Sequence, residues 1–350
     1  MPQTTLTRRS FSIADLDIPV LDITGSGDGP QLTLLAGVHG CEYASMAALR
    51  IWAGRLADRE LNGRVLAVPV LNLPAFRART PFVVPNDGKN LNRCFPGNPA
   101  GSLAGRIAAD TFTKIIKGSD ALIDMHAGDM VEALQPFALY DAGPAEARAR
   151  DMATAYGLRY VIRQEPGPDR AVGGTSSAAA AEIGIPAIIA EAGGCGLVER
   201  PAVEAHVRGL NRVLAFLGMA DGAASGGPAS GGSVSDGSVS DGSVSDGSVS
   251  DGSASDGSAS DGSVSDGSGD GQTTYLRRFL WLRCRDEGWW EPSAQVGEAV
   301  AEGQVIGTVS SIDGTRTLET ITAPADGVPM FITSSPAVAA DGLLLGLGAR

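Results

Sequence analysis

Seven tandem pentapeptides, five GSVSD and two GSASD, fill residues 232–266 without interruption, with Gly/Ser-rich flanks on both sides. One small apolar residue in five cannot bury enough surface to offset the entropy of an ordered chain, so disorder is expected there. Calcium-binding β-solenoid repeats are also rich in Gly and Asp, but they use a nonapeptide with a different arrangement. A flexible tether over 222–272 therefore divides the chain into a unit at 1–221 and a smaller one at 273–350.

Upstream of the tether, strand-like and helical patterns alternate. The apolar runs 32–38, 64–71, 121–125 and 187–190, bounded by Gly, Pro or Asn, read as buried strands. Between them, 43–56, 102–116, 145–156, 175–183 and 201–217 carry helical spacing, with Ser102 placed to cap one helix and Gly118 to stop it. Alternation of this kind predicts an α/β unit with a largely parallel sheet and helices on both faces. Downstream, Gly and Pro recur at short intervals through GWWEPSAQVGEAVAEGQVIG and APADGV, which predicts a small β-sandwich or barrel with Trp289 and Trp290 packing its core.

Charge excludes some functions. A net charge of −13 leaves no basic stripe for nucleic acid, and no apolar run is long enough to span a membrane. The four cysteines, Cys41, Cys94, Cys195 and Cys284, form no C-x-x-C pair and read as reduced thiols of a cytoplasmic protein. Arg8 and Arg9 mimic a twin-arginine export signal, but Asp15, Asp17 and Asp22 interrupt the apolar segment such a signal needs. The last lysine is Lys117, so the C-terminal unit cannot be a lysine-modified carrier despite its biotinyl-like phrases. A lid, a spacer or a contact in a homo-oligomer remains for it.

Of three histidines, His39 lies in GVHGCEY, three residues before Glu42 and just after a predicted strand. Ligands of open α/β sheets gather at such carboxyl ends. A catalytic zinc takes three protein ligands, often two His and one Glu. His126, at the end of LIDMH, meets the need for a third ligand at a second strand end. A polar loop that binds nothing is the competing reading of His39 and Glu42. His206 falls in an amphipathic helix and reads as a solvent-facing or packing residue.

Three further positions could carry chemistry. Asn92 and Arg93 could orient a carboxylate through a donor–acceptor amide and a planar guanidinium, or sit exposed between two turns. Arg79, or equally Arg77, could polarise a carbonyl. Glu191 follows a buried strand and precedes Gly193 and Gly194, where it could cap a turn or act as a base. Asp124, on the same strand face as His126, could orient that imidazole.

In order and spacing, HGCE, NLNRCFPG, DMHAG and EAGGCG resemble the succinylglutamate desuccinylase/aspartoacylase family, within the wider zinc carboxypeptidase-like group. The similarity covers roughly residues 8–220, and the tail looks like the β-domain of bacterial members. The resemblance implies a zinc-carboxypeptidase-like mixed, largely parallel sheet plus a small all-β domain. It implies one zinc ion on His39, Glu42 and His126, with Glu191 as general base and Asn92 and Arg93 on the substrate carboxylate. Arg79 would polarise the carbonyl. The expected activity is hydrolysis of the linear amide of a small N-acyl amino acid. A metallocarboxypeptidase trimming peptides is the alternative. A non-catalytic binding protein would need a lost ligand or base, and none is lost.

Overall fold

The repeat tether lies outside the residues described by the computed structural model, which are 4–164, 174–220 and 273–350. An N-terminal hairpin, β1 (Thr5–Ile13) and β2 (Leu16–Thr24), turns through Ala14 and Asp15, both at positive φ. β3 (Ser26–Ala36), α1 (Tyr43–Leu56) and β4 (Asn62–Val68) follow as a parallel crossover. Then come α2 (Leu73–Ala78), a short ribbon of β5 (Val83–Val84) and β6 (Lys89–Asn90), and α3 (Leu103–Thr111). β7 (Ala121–His126), β8 (Glu132–Leu134), β9 (Phe137–Asp141), α4 (Glu146–Tyr156) and β10 (Tyr160–Gln164) lead to α5 (Ser176–Glu182), β11 (Ala187–Glu191) and α6 (Arg200–Phe216).

Strand order in the main sheet is β1-β2-β4-β3-β7-β11-β9-β10, parallel from β4 to β11 and antiparallel at β2–β4 and β11–β9. Apolar side chains of α1, α4 and α6 cover one face and those of α3 and α5 the other. This is the expected mixed, largely parallel sheet between helices. Residues of β7 are buried throughout, as a central strand with both faces covered requires. Ser102 occupies the N-cap position of α3, although its side chain makes no capping bond.

The C-terminal residues are all strand: β12 (Thr274–Leu276), β13 (Arg278–Arg283), β14 (Gly288–Pro292), β15 (Val305–Ser310), β16 (Thr317–Thr322), β17 (Gly327–Thr333), β18 (Ala337–Val338) and β19 (Leu343–Ala349). Two four-stranded sheets result, β13-β19-β17-β8 and β16-β15-β14-β18, around a core that includes Trp290, Ile306, Val309 and Leu345. Trp289, in contrast to Trp290, is 44% exposed, because alternation along β14 turns it outward.

The two parts are joined edge to edge. β12 pairs in parallel with β10 and becomes the ninth strand of the main sheet, while β8 pairs with β17. Beneath these seams Phe137, Leu139, Ile162 and Ile189 share one apolar cluster with Leu276, Val328, Met330 and Phe331.

Candidate metal centre and substrate cavity

Period-two alternation along β7 puts Ala121, Ile123 and Met125 into one core and Leu122 into the other. Asp124 and His126 therefore emerge together at the carboxyl end, on the Leu122 face. Parallel pairing of β7 with β3 and β11 brings the loop after β3 and the end of β11 alongside. The loop carries His39 and Glu42, and Glu191 is directly opposite His126 in register.

One ligand atom each from His39, Glu42 and His126 falls within a sphere where all lie within 4.8 Å of one another, and all three residues are buried. Nδ1 of His39 is 2.6 Å from Oε1 of Glu42, and Nδ1 of His126 is 2.8 Å from Oε2. The outward nitrogens are held as well. Nε2 of His39 is 3.0 Å from Oδ1 of Asn90, and Nε2 of His126 is 3.1 Å from Oδ2 of Asp124. Two imidazoles and a carboxylate converging by the atoms that the second set of partners leaves free suit a divalent ion of zinc's preferences.

Burial works against the charged form of Glu42, yet the imidazoles of His126 and His39 outweigh it and hold the carboxyl at about 2. Glu191 behaves in the opposite way. Burial pushes it up to about 8, with the charges of Glu42 and Glu132 adding to the effect against His126. Burial also raises Glu132 to about 7. Three carboxyl groups thus face one small space, and a divalent cation there would favour the ionised forms of Glu191 and Glu132.

These groups line a cavity of about 550 Å³. Its walls also hold Asn92 and Arg93 from the loop before α3. Asn92 is buried; its Oδ1 accepts the Ser176 N–H at 3.0 Å, and its Nδ2 is 3.2 Å from His126 Nε2. Arg93 donates through Nη1 to the Asn92 carbonyl at 2.7 Å and keeps its other donors. Arg79 is placed elsewhere: it ends α2 in the left-handed conformation, is exposed, and does not line this cavity. Arg77 is exposed beside it.

His206 is a packing residue. Its Nε2–H reaches the carbonyls of His126 at 3.0 Å and Ala192 at 3.2 Å, and Tyr156 Oη is 2.8 Å from Nδ1. It thereby ties together the backbone beyond two strand ends. The close approach depends on Gly209, where a Cβ would stand 2.2 Å from the Tyr156 ring.

Sequence reasoning did not single out Asn90, Glu132, Trp281 or Arg283, all of which line the cavity. Asn90 stands inside the NLNR phrase, so a signal existed. Trp281 and Arg283 arrive on β13 from beyond the tether, and no local pattern marks them.

A sheet that gathers two imidazoles and several carboxylates at its strand ends, with arginines on the other walls of the cavity, is the frame of a hydrolase. A family model for the succinylglutamate desuccinylase/aspartoacylase catalytic domain matches residues 28–217. N-alpha-acetyl-L-2,4-diaminobutyric acid deacetylase of Halomonas elongata is 35% identical over 211 residues, 59% of this chain and 59% of that protein. The match therefore spans less than two thirds of that relative. A succinylglutamate desuccinylase/aspartoacylase structure from Rhodobacter sphaeroides aligns over 99% of this chain and 94% of its own, with a TM-score of 0.72 and 25% identity. The product-bound ectoine utilization protein EutE (DoeB) of Ruegeria pomeroyi shares the fold, with a TM-score of 0.74, 21% identity, and 99% and 95% coverage. The chain belongs to the succinylglutamate desuccinylase/aspartoacylase family.

Proposed function

We propose that the protein is a zinc-dependent deacylase that hydrolyses the amide of a small N-acyl amino acid. His39, Glu42 and His126 would hold the ion. When bound, it would activate water near neutral pH and polarise the scissile carbonyl. Glu191, beside the triad and buried enough to value a proton, takes one from the attacking water and returns it to the leaving amine. Arg93 grips the substrate carboxylate through its free donors, and Asn92 offers an amide hydrogen. For Arg79 the support for a carbonyl-polarising role is the family resemblance, since its side chain lies outside the cavity lining. In the same reading 1–221 is the catalytic unit and 273–350 a β-unit that walls the cavity.

The observation that carries this reading is the meeting of triad, base and arginine in one cavity of about 550 Å³. That volume lies in the ordinary range for small ligands, roughly 300–1,000 Å³. Phe279, Trp281 and Phe331 form one of its walls, which favours an N-acyl amino acid over a peptide chain. The homologous acetyl-diaminobutyrate deacetylase points the same way. Activity of the zinc-loaded protein on N-acetyl, N-succinyl and N-formyl amino acids, set against blocked dipeptides, tests it. Turnover of the dipeptides alone would make the protein a carboxypeptidase.

A further inference from the structure

The cavity is not built by the catalytic part alone. Phe279, Trp281, Arg283, Phe331 and Leu343 line it from the far side of the repeat tether. β13 places Phe279, Trp281 and Arg283 on one side, because residues two apart along a strand share a face. An aromatic stack holds Trp281 in place: its ring centroid lies 5.0 Å from that of Phe279 and 5.4 Å from that of Phe331. Phe279 in turn lies 5.6 Å from Phe137 of β9, so the stack is anchored on both parts of the chain.

Trp281 meets the substrate end of the cavity. The Arg93 guanidinium carbon lies 5.9 Å from the centroid of the Trp281 ring, within the range of a cation–π contact. The fork of Arg93 is thus fixed from two directions, by the Asn92 carbonyl and by the indole. Burial lowers the pKa of Arg93, and the charge that adds to this lowering is another cation, Arg283. Among the described residues neither arginine has a carboxylate within salt-bridge distance. Arg283 anchors one nitrogen, Nη1, on the Asp341 carbonyl at 2.7 Å and keeps its other donors. The indole Nε1–H of Trp281 is buried without an acceptor among the described residues.

Two guanidiniums and an unsatisfied donor meeting at one end of a cavity, with carboxylates at the other, describe half of an ion pair. We propose that Arg93, Trp281 and Arg283 together form the site for the substrate's carboxylate, so that the C-terminal sheet supplies half of the group that selects an anionic substrate. Arg283 is the specificity residue: it adds a second cation to the same anion. Trp281 positions Arg93 through its ring and offers its unpaired Nε1–H to the same anion. This deepens the deacylase reading and rests on it for the identity of the anion, a free amino-acid carboxylate.

Binding, separate from turnover, tests the site. Titration calorimetry uses zinc-loaded, full-length protein carrying Glu191→Gln, which binds without appreciable turnover. It compares N-acetyl-L-2,4-diaminobutyrate with its primary carboxamide, a change that removes one charge and little volume. This parent is expected to bind the carboxylate at least ten-fold more tightly. Arg283→Gln, an exposed position whose change leaves the core intact, should cut that preference to three-fold or less, and Arg283→Lys should restore part of it. Trp281→Leu should do likewise, with Trp281→Phe intermediate. Equal binding of the two ligands by the parent, or a preference undiminished both when Arg283→Gln and when Trp281→Leu is added to it, overturns the proposal. Absence of amide hydrolysis by the wild type with the carboxylate preference intact would sink the deacylase reading and leave this site standing.

Discussion

Oδ2 of Asp124 lies 3.1 Å from Nε2 of His126, the ring nitrogen that points away from Glu42. The same oxygen accepts the hydroxyl hydrogen of Ser176. With Nε2–H given to Asp124, Nδ1 is left as the lone-pair nitrogen facing the triad, and the ring cannot swing. Asp124 is wholly buried, so no water replaces it. Partners of this kind are worth about 10–100-fold in metal affinity. Asp124→Ala is expected to weaken zinc by that factor in competition with a chelator, while His39 and Glu42 keep residual binding. Undiminished affinity would show that Asp124 only fills the core.

Glu191 stands opposite His126 in register, beside the triad but not within it. Removing a general base costs about 10²–10⁴ in rate, whereas removing a ligand costs the metal. Glu191→Gln should therefore keep stoichiometric zinc and lose two to four orders of magnitude in kcat. If zinc leaves together with activity, Glu191 is a ligand and the base must be sought elsewhere, with Glu132 the next carboxylate in the cavity.

How far the chain was readable follows from how each residue reaches the site. His39, Glu42, His126 and Glu191 were legible because the ends of parallel strands are marked locally, by an apolar run followed by a polar residue and glycine. Asp124 was legible through alternation. The hairpin β1–β2 was not, since β1 is exposed along most of its length and shows no apolar run. Trp281 and Arg283 were hidden for a different reason. Their neighbourhood is made by the β8–β17 and β10–β12 pairings, contacts between segments more than a hundred residues apart. Periodicity records which face a residue takes, but not which distant wall that face will meet.

A buried carboxyl outside the site gives a pH signature. Asp141 is 8% exposed and accepts the Ser177 hydroxyl at 2.6 Å. Burial raises it from 3.8 to about 6, with the Ser177 bond opposing. The folded form thus binds this proton more tightly than the unfolded chain does. Its ionisation penalises the fold above pH 6, and the penalty is relieved as pH falls from about 6 to about 4. Asp141→Asn keeps an acceptor for Ser177 and removes the charge. It should stabilise the protein at pH 8 by ~1–3 kcal/mol and make no difference near pH 4. A lower melting temperature for Asp141→Asn at pH 8 would contradict the assignment.

The repeats and the sheets beyond them should respond differently to deletion. Cutting the chain after residue 221 strips β12 from β10 and β17 from β8. It uncovers Phe137, Leu139, Ile162 and Ile189, now sealed by Leu276, Val328, Met330 and Phe331. Full burial of each such side chain is worth roughly 1.5–3 kcal/mol, so the loss is comparable with the whole stability of a domain. The truncated chain should aggregate or melt far below the full-length protein, rather than survive with altered selectivity. Deleting only 232–266 is another matter, because it leaves both seams and 17 of the 52 residues between 220 and 273. Seventeen residues reach at most about 60 Å. That deletion should keep melting temperature, zinc content and kcat/KM within about two-fold. A fall in kcat/KM with zinc and melting temperature unchanged would assign the repeats a part in substrate handling that their composition does not suggest.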